Sequence, residues 1–292
     1  MAGERRRDGG GREAWRVAET LRARMADGSY PLNGLLPPQR ELADSFGVSR
    51  DTVQRALREL ASEGWIESRQ GSGSRVIKTQ RIQSYTAKAS HEGRVSLGPL
   101  ISEAFERPNV TLDVYTLTSE SLDTHIRLQA ERIRTGEIAP QRIGLRMLLP
   151  SESLELPYPR ALDRSDDPRL RDRLHGITRR HTASLRRELR QLRAEGLVPA
   201  ADIEIRHVAL TPAFKLYLLN GTEALHGPYE VIERPIVLET GEEIAALDVL
   251  GLGATLTHYV KDDDENSRGS VFVDAWQAWF DSVWSRLAEP GG

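Results

Sequence analysis

Residues 36–76 read LPPQRELADSFGVSRDTVQRALRELASEGWIESRQGSGSRV, and this stretch decides the N-terminal fold. Pro38 lies near the start of LPPQRELADSF (36–46), where a helix loses nothing by a missing N–H. Gly47-Val48 breaks that helix, and Ser49 is a natural N-cap for SRDTVQRALRELASEG (49–64). Two short helices around a tight Gly-containing turn make a helix-turn-helix. In the second helix Val53, Leu57 and Leu60 point inward, while Arg50, Thr52, Gln54, Arg55 and Arg58 stay polar. WIESRQGSGSRVI (65–77) then reads as strand, Gly-rich tip and strand, a hairpin wing with Arg69 and Arg75 flanking the tip. Upstream, AWRVAETLRARMA (14–26) brings Ala14, Trp15, Ala18, Leu21 and Met25 near one face of a further helix, which Asp27-Gly28 ends. Polar side chains in the first turn of such a second helix reach base edges in the major groove, and cations on a wing meet phosphates.

This ordered run resembles the GntR family of bacterial repressors and activators over about residues 14–78. The resemblance implies DNA contacts from Arg40 in the QRELA helix, from Arg50 and Thr52 opening the recognition helix, and from the wing tip near Gln70 and Gly71. Ser49, Gln54 and Arg55 complete the expected DNA-binding set, Gln54 suiting adenine and Arg50 guanine or a phosphate. Asp51 and Gln54 stand where some members carry Thr and Arg, departures that bear on the operator sequence.

Composition sets the wider frame. At 292 residues the chain is long enough for two domains, and 39% hydrophobic with 28% charged residues is an ordinary soluble profile. The net charge of −3 hides a split that matters for a nucleic-acid partner: residues 1–80 carry 14 Lys/Arg against 11 Asp/Glu, the remainder 26 against 32. The absence of cysteine excludes disulfides, thiolate metal sites and a Cys nucleophile. No apolar run approaches the roughly 20 residues of a membrane span. The opening MAGERRRDGGGREAW lacks the apolar segment of a secretory signal, so residues 1–13 read as a disordered basic arm and the cytoplasm is the expected location.

Residues 79–94 lack apolar periodicity and read as a linker. From 95 to 288 strands alternate with helices: VTLDVYTL (110–117), a helix over 119–137 capped by Ser119, RIGLRMLLP (142–150), a long basic helix over 168–196, then IEIRHVAL (203–210), AFKLYLLN (213–220) and IAALDVL (244–250). This order predicts an α/β effector-binding and dimerisation domain on a largely parallel or mixed sheet, so the fold class is mixed: an α+β winged helix-turn-helix followed by a larger α/β domain. The basic helix is read as a solvated face, with nonspecific DNA affinity as the alternative. The closing helix 270–288 places Phe272, Trp276, Trp279, Phe280 and Val283 at helical spacing, as core or dimer interface.

The stretch PAFKLYLLNGTEALHG (212–227) resembles the catalytic strand of the phospholipase D superfamily, whose pattern is H-x-K-x-x-x-x-D. Lys215 holds the Lys position, but Ala213 replaces the nucleophilic His and Asn220 the Asp, so the resemblance implies a non-hydrolytic domain. It also implies a phosphate-binding pocket: Lys215 for charge, Asn220 for a neutral amide, with Thr118, Ser119 and Glu120 offering backbone N–H groups at a helix start. His226 follows the same strand. No metal spacing joins the histidines, and no Walker A or G-x-G-x-x-G occurs, so no metal, cofactor or catalytic residue is expected. The expectation is a ligand-responsive regulator, such as a repressor, that binds double-stranded operator DNA as a homodimer and senses a small, phosphorylated effector. Three alternatives stay open: a constitutive DNA-binding protein whose second domain only dimerises, a phosphodiesterase fused to a DNA-binding domain, and a chorismate-lyase-like effector domain.

Overall fold

The computed structural model describes residues 4–26, 29–31, 34–63, 65–69, 73–76, 81–84, 97–163, 167–238, 240, 242–249, 251 and 255–290. The chain divides into two compact units, residues 1–79 with 233–246, and residues 80–232 with 247–292.

In the first unit α1 spans Glu4–Ala26, α2 Gln39–Phe46 and α3 Arg50–Glu63. Helix α1 therefore begins inside the segment expected to be a disordered arm, since extending a helix costs far less than nucleating one. Gly47 ends α2 with φ +64°, a left-handed conformation that glycine adopts without a Cβ penalty, and Val48 N–H reaches back to Ala43 O at 3.0 Å. Ala18, Leu21, Met25, Leu42, Val53, Leu57 and Leu60 make the buried core with Trp65, Ile66 and Val76. Strands β1 (Ile66–Arg69) and β2 (Gly73–Val76) pair antiparallel, Ile66 opposite Val76, and Leu35 bridges to Arg75 to form a third edge of the wing. Arg22 is fully buried in this core. It forms an ion pair with Glu19 and donates from Nη2 to Glu59 Oε1 at 3.0 Å, tying α1 to α3. Its place is legible in retrospect: Arg22 follows Ala18 by four residues, on the buried face.

The second unit is built on an eight-stranded mixed sheet. Its elements in chain order are β3 (Arg81–Ser84), α4 (Leu97–Phe105), β4 (Asn109–Tyr115), α5 (Glu120–Arg134), β5 (Arg142–Pro150), β6 (Arg160–Ala161), α6 (Pro168–Ala194), β7 (Ala200–Val208), β8 (Phe214–Leu219) and β9 (Glu223–Pro228). There follow β10 (Val231–Val237) and β11 (Glu243–Val249), most of whose residues are grouped with the first unit, and then β12 (Thr255–Val260), α7 (Arg268–Arg286) and β13 (Glu289–Pro290) of the second. The sheet order is β13-β7-β5-β4-β8-β9-β12-β3. The run β4-α5-β5-α6-β7 gives three parallel neighbours, as expected of strand–helix–strand units, whereas β8, β9 and β12 continue antiparallel. Strand β3 pairs parallel with β12, so the expected linker holds a sheet strand; residues 79–80 and 85–94 of it lie outside the described residues.

Strand periodicity distributes the core between two faces. Val110, Leu112 and Val114 of β4 join α4, α5 and α6 in one apolar cluster, while Tyr115, Leu148, Leu216 and Leu218 pack with α7 in another. On the α7 face Asp113 stands beside its parallel partner Arg146, which donates to it at 2.7 and 2.5 Å and to Asp281 at 2.8 Å. These bonds raise the Arg146 guanidinium pKa and pin α7 to β4 and β5. Phe280, Val283 and Trp284 are buried there, whereas Phe272, Trp276 and Trp279 are partly buried around Phe214.

Candidate nucleic-acid interface and effector edge

Burial of Val53, Ala56, Leu57 and Leu60 turns Arg50, Asp51, Gln54, Arg55 and Arg58 of α3 to the surface. Arg50 and Gln54 are neighbours one turn apart, followed by Arg58, and form a row of side chains able to donate to guanine, adenine and phosphate. The helix is set by its cap: Ser49 Oγ accepts Thr52 N–H at 3.1 Å and lies 2.9 Å from Thr52 Oγ1. Thr52 is therefore buried, at 3% exposure, and not on the polar face where the sequence reading put it; its hydroxyl serves the cap. Arg55 donates to Asp51 Oδ2 at 2.5 Å, both exposed, an i,i+4 pair of a few tenths of a kcal/mol that a phosphate can displace. Arg40 is exposed in the first turn of α2, and Arg75 is exposed on β2. Gln70 and Gly71 lie outside the described residues.

In the second unit the carboxyl ends of β4, β5 and β7 share one edge, where open α/β sheets place ligands. The loop from β4 to α5 is fastened there by Tyr229, whose hydroxyl accepts Leu117 N–H at 2.8 Å and lies 3.0 Å from Thr116 Oγ1. Burial pushes the phenol pKa far up, so it stays protonated and donates to Thr116, which in turn donates to Thr118 O at 2.7 Å. Leu117, Tyr158, Leu174, Tyr229 and Val249 form an apolar cluster around this anchor. Pairing of Tyr115 with Leu216 brings Lys215 to the same edge; it is buried, with Nζ 5.7 Å from the Tyr229 ring centre. Thr118 donates to Glu120 Oε2 at 3.2 Å, and Ser119 is the N-cap of α5 without making a side-chain capping bond.

Asn220 does not join them. It follows the opposite end of β8, roughly 16 Å along the strand from Lys215 at about 3.3 Å per residue. With φ +52° it turns the chain into β9, its Oδ1 accepting Thr111 N–H at 2.8 Å and its Nδ2 donating to Ala104 O at 3.2 Å. The expected Lys215–Asn220 pocket is thus not assembled: the five-residue spacing spans a strand, and the amide is committed to the backbone. Ala213 is exposed. His226 stacks on Trp276 at 4.6 Å under α7, where burial lowers its pKa. On the basic helix α6, Arg186, Arg190 and Arg193 line a groove of about 690 Å³ against β7, and Arg193 pairs with Asp202 at 3.4 Å.

Residues 14–76 match the family model described as bacterial regulatory proteins, gntR family. An HTH-type transcriptional regulator of Rhizobium meliloti (strain 1021) is 39% identical over 69 residues, covering 23% of this chain and 28% of that protein. The mannosyl-D-glycerate transport/metabolism system repressor of Escherichia coli (strain K12) is 40% identical over 66 residues, 23% and 27% of the two chains. The AraR DNA-binding domain, solved in complex with operator ORX1, is 32% identical, covering 22% of this chain and 78% of that one at a TM-score of 0.22. The chain thus spans little more than a quarter of the length of these curated relatives. The matched region coincides with the capped α3, its partner helices and the wing, and this N-terminal domain is a GntR-family winged helix-turn-helix domain.

Proposed function

We propose that this chain is a cytoplasmic transcriptional regulator that binds double-stranded operator DNA as a homodimer and responds to a small effector, without catalysis. The observation that carries the reading is the exposed Arg50–Gln54–Arg58 row on a Ser49-capped helix beside a winged hairpin. Helix α3 enters the major groove, Arg50 and Gln54 read bases, and Arg40, Ser49, Arg55 and the wing tip at Gln70 and Gly71 meet the backbone. One such head offers few contacts, and two joined heads on a pseudo-palindromic site multiply them by effective concentration. The relative from Escherichia coli is named a repressor, which supports repression here.

The second unit is the sensor in this reading, with Lys215, Thr118, Ser119 and Glu120 as its ligand groups. The phospholipase D-like strand contributes Lys215 alone; exposed Ala213 and the structural Asn220 favour a non-hydrolytic role. An effector acts only by binding one arrangement of the protein better than another. Footprinting of the full chain on its selected DNA site tests the proposal. Two protected half-sites about one helical turn apart, with two chains bound, are expected. One half-site holding one chain overturns the dimer, and phosphodiesterase activity in the purified chain overturns the non-catalytic sensor.

A further inference from the structure

We infer that the first turn of α5 is a site for the phosphoryl group of a small metabolite, held by the hydroxyls of Ser119 and Ser121 and by the backbone N–H groups of that turn. The inference rests on the sensing role proposed for the second unit and specifies its ligand chemistry. Within α5 the backbone ladder starts with Asp123 N–H bonded to Ser119 O at 2.8 Å, so the N–H groups of Glu120, Ser121 and Leu122 precede it. A helix N-terminus is a partial positive charge that favours an oxyanion.

The second observation is independent of helix geometry. Ser119 and Ser121 are only 1% and 6% exposed, yet neither Oγ has a hydrogen-bond partner among the described residues. Buried hydroxyls are almost always bonded, and leaving one unsatisfied costs on the order of its desolvation. A serine at an N-cap ordinarily spends its oxygen on the N2 or N3 N–H, as Ser49 and Ser267 do in this chain, and Ser119 does not. Two idle hydroxyls at one free helix start are what an arriving acceptor with several oxygens would occupy.

The surroundings bear on the charge that such a ligand meets. Lys215 lies buried at the same strand edge with Nζ 5.7 Å from the Tyr229 ring centre, and Tyr229 holds the loop before Ser119 in place through Leu117. Of the carboxylates in this turn, Glu120 accepts from the Thr118 hydroxyl, and the buried Asp123 turns Oδ2 to His181 Nδ1 on α6 at 2.8 Å, while its Oδ1 has no hydrogen-bond partner among the described residues. The imidazole of His125 is held neutral, its pKa lowered to about 4 by burial, and adds no charge.

The test is isothermal titration of the full chain with inorganic phosphate, against chloride and acetate at matched ionic strength. Saturable phosphate binding is expected, weakened roughly tenfold by Ser119→Ala and by Ser121→Ala, since each removes one donor to a charged acceptor. No saturable heat up to roughly 20 mM, well above a millimolar Kd, overturns the site, as does acetate binding as well as phosphate. Melting temperature guards against misfolding. Ser121→Ala is expected to melt at or above the parent, because it deletes an unsatisfied polar group, and a clear drop would show the hydroxyl to be structural and refute the site. Operator affinity is measured alongside, without phosphate. Intact DNA binding with no phosphate binding removes this site alone, whereas phosphate binding with no DNA binding removes the regulator reading and leaves the site.

Discussion

Replacing Tyr229 by phenylalanine deletes one oxygen from the anchor of the β4–α5 loop and leaves the ring in place. That oxygen uses both of its roles: it accepts Leu117 N–H at 2.8 Å and donates to Thr116 Oγ1 at 3.0 Å. Thr116 and Leu117 are buried, so Tyr229→Phe strands one backbone donor and one acceptor away from water. Each net hydrogen bond is worth about 1 kcal/mol and a stranded buried group about 1–3 kcal/mol, which puts the loss near ~2–3 kcal/mol. For a unit of about 200 residues that corresponds to a fall in melting temperature of roughly 4–12 °C. Far-ultraviolet circular dichroism during thermal unfolding reads it, with the unchanged spectrum at low temperature showing that the helices and strands are intact. A melting temperature within about 1 °C of the parent would refute the reasoning, because it would mean that water or another group satisfies Leu117 N–H at no cost.

Other consequences of the fold are as direct. Arg22→Ala leaves Glu19 buried beside Glu59 without the guanidinium that joins α1 to α3, and should cost about 3–5 kcal/mol in urea unfolding of the full chain. Gly269→Ala places a Cβ 2.0 Å from Val260 O, a backbone atom that cannot step aside, so α7 must shift off β12 at about 1–3 kcal/mol, seen as faster proteolysis of the C-terminal helix. His125 has a folded pKa near 4 against 6.5 in the unfolded chain, so the unfolded state takes up the extra proton as pH falls. Stability should therefore decline from about pH 6.5 down to about pH 4 by up to ~3 kcal/mol, and His125→Gln should flatten that window in denaturant titrations.

Much of this architecture was readable from residue order, and the failures have physical reasons. The winged helix-turn-helix was legible because each local signal agreed: Ser49 caps, Gly47 turns left-handed, and Val53, Leu57 and Leu60 repeat on one face. Thr52 was misplaced because its type suggests a surface donor, while the cap draws its hydroxyl inward. Helix α4 was not foreseen: Gly98-Pro99 looks like a turn, and the apolar LGPLISEAF stretch shows no polar face, being buried along most of its length. Strand β12 follows glycines at 251 and 253 and was not foreseen, and β3 has pairing but no periodicity of its own. The Lys215 and Asn220 pairing failed for a different reason. Spacing along a strand fixes separation, not convergence, and φ +52° at Asn220 gave its amide a backbone task that composition does not reveal.

The central claim is that α3 reads DNA through its exposed polar row. The most direct measurement is fluorescence anisotropy of the full chain on a DNA site selected from a random library, repeated at several salt concentrations and with Arg50→Ala. Arg50→Ala is predicted to weaken binding by about 1–3 kcal/mol, a factor of roughly 10–100, while the parent's affinity falls steeply with salt. An unchanged affinity in Arg50→Ala, or selection of no site at all, would contradict the account.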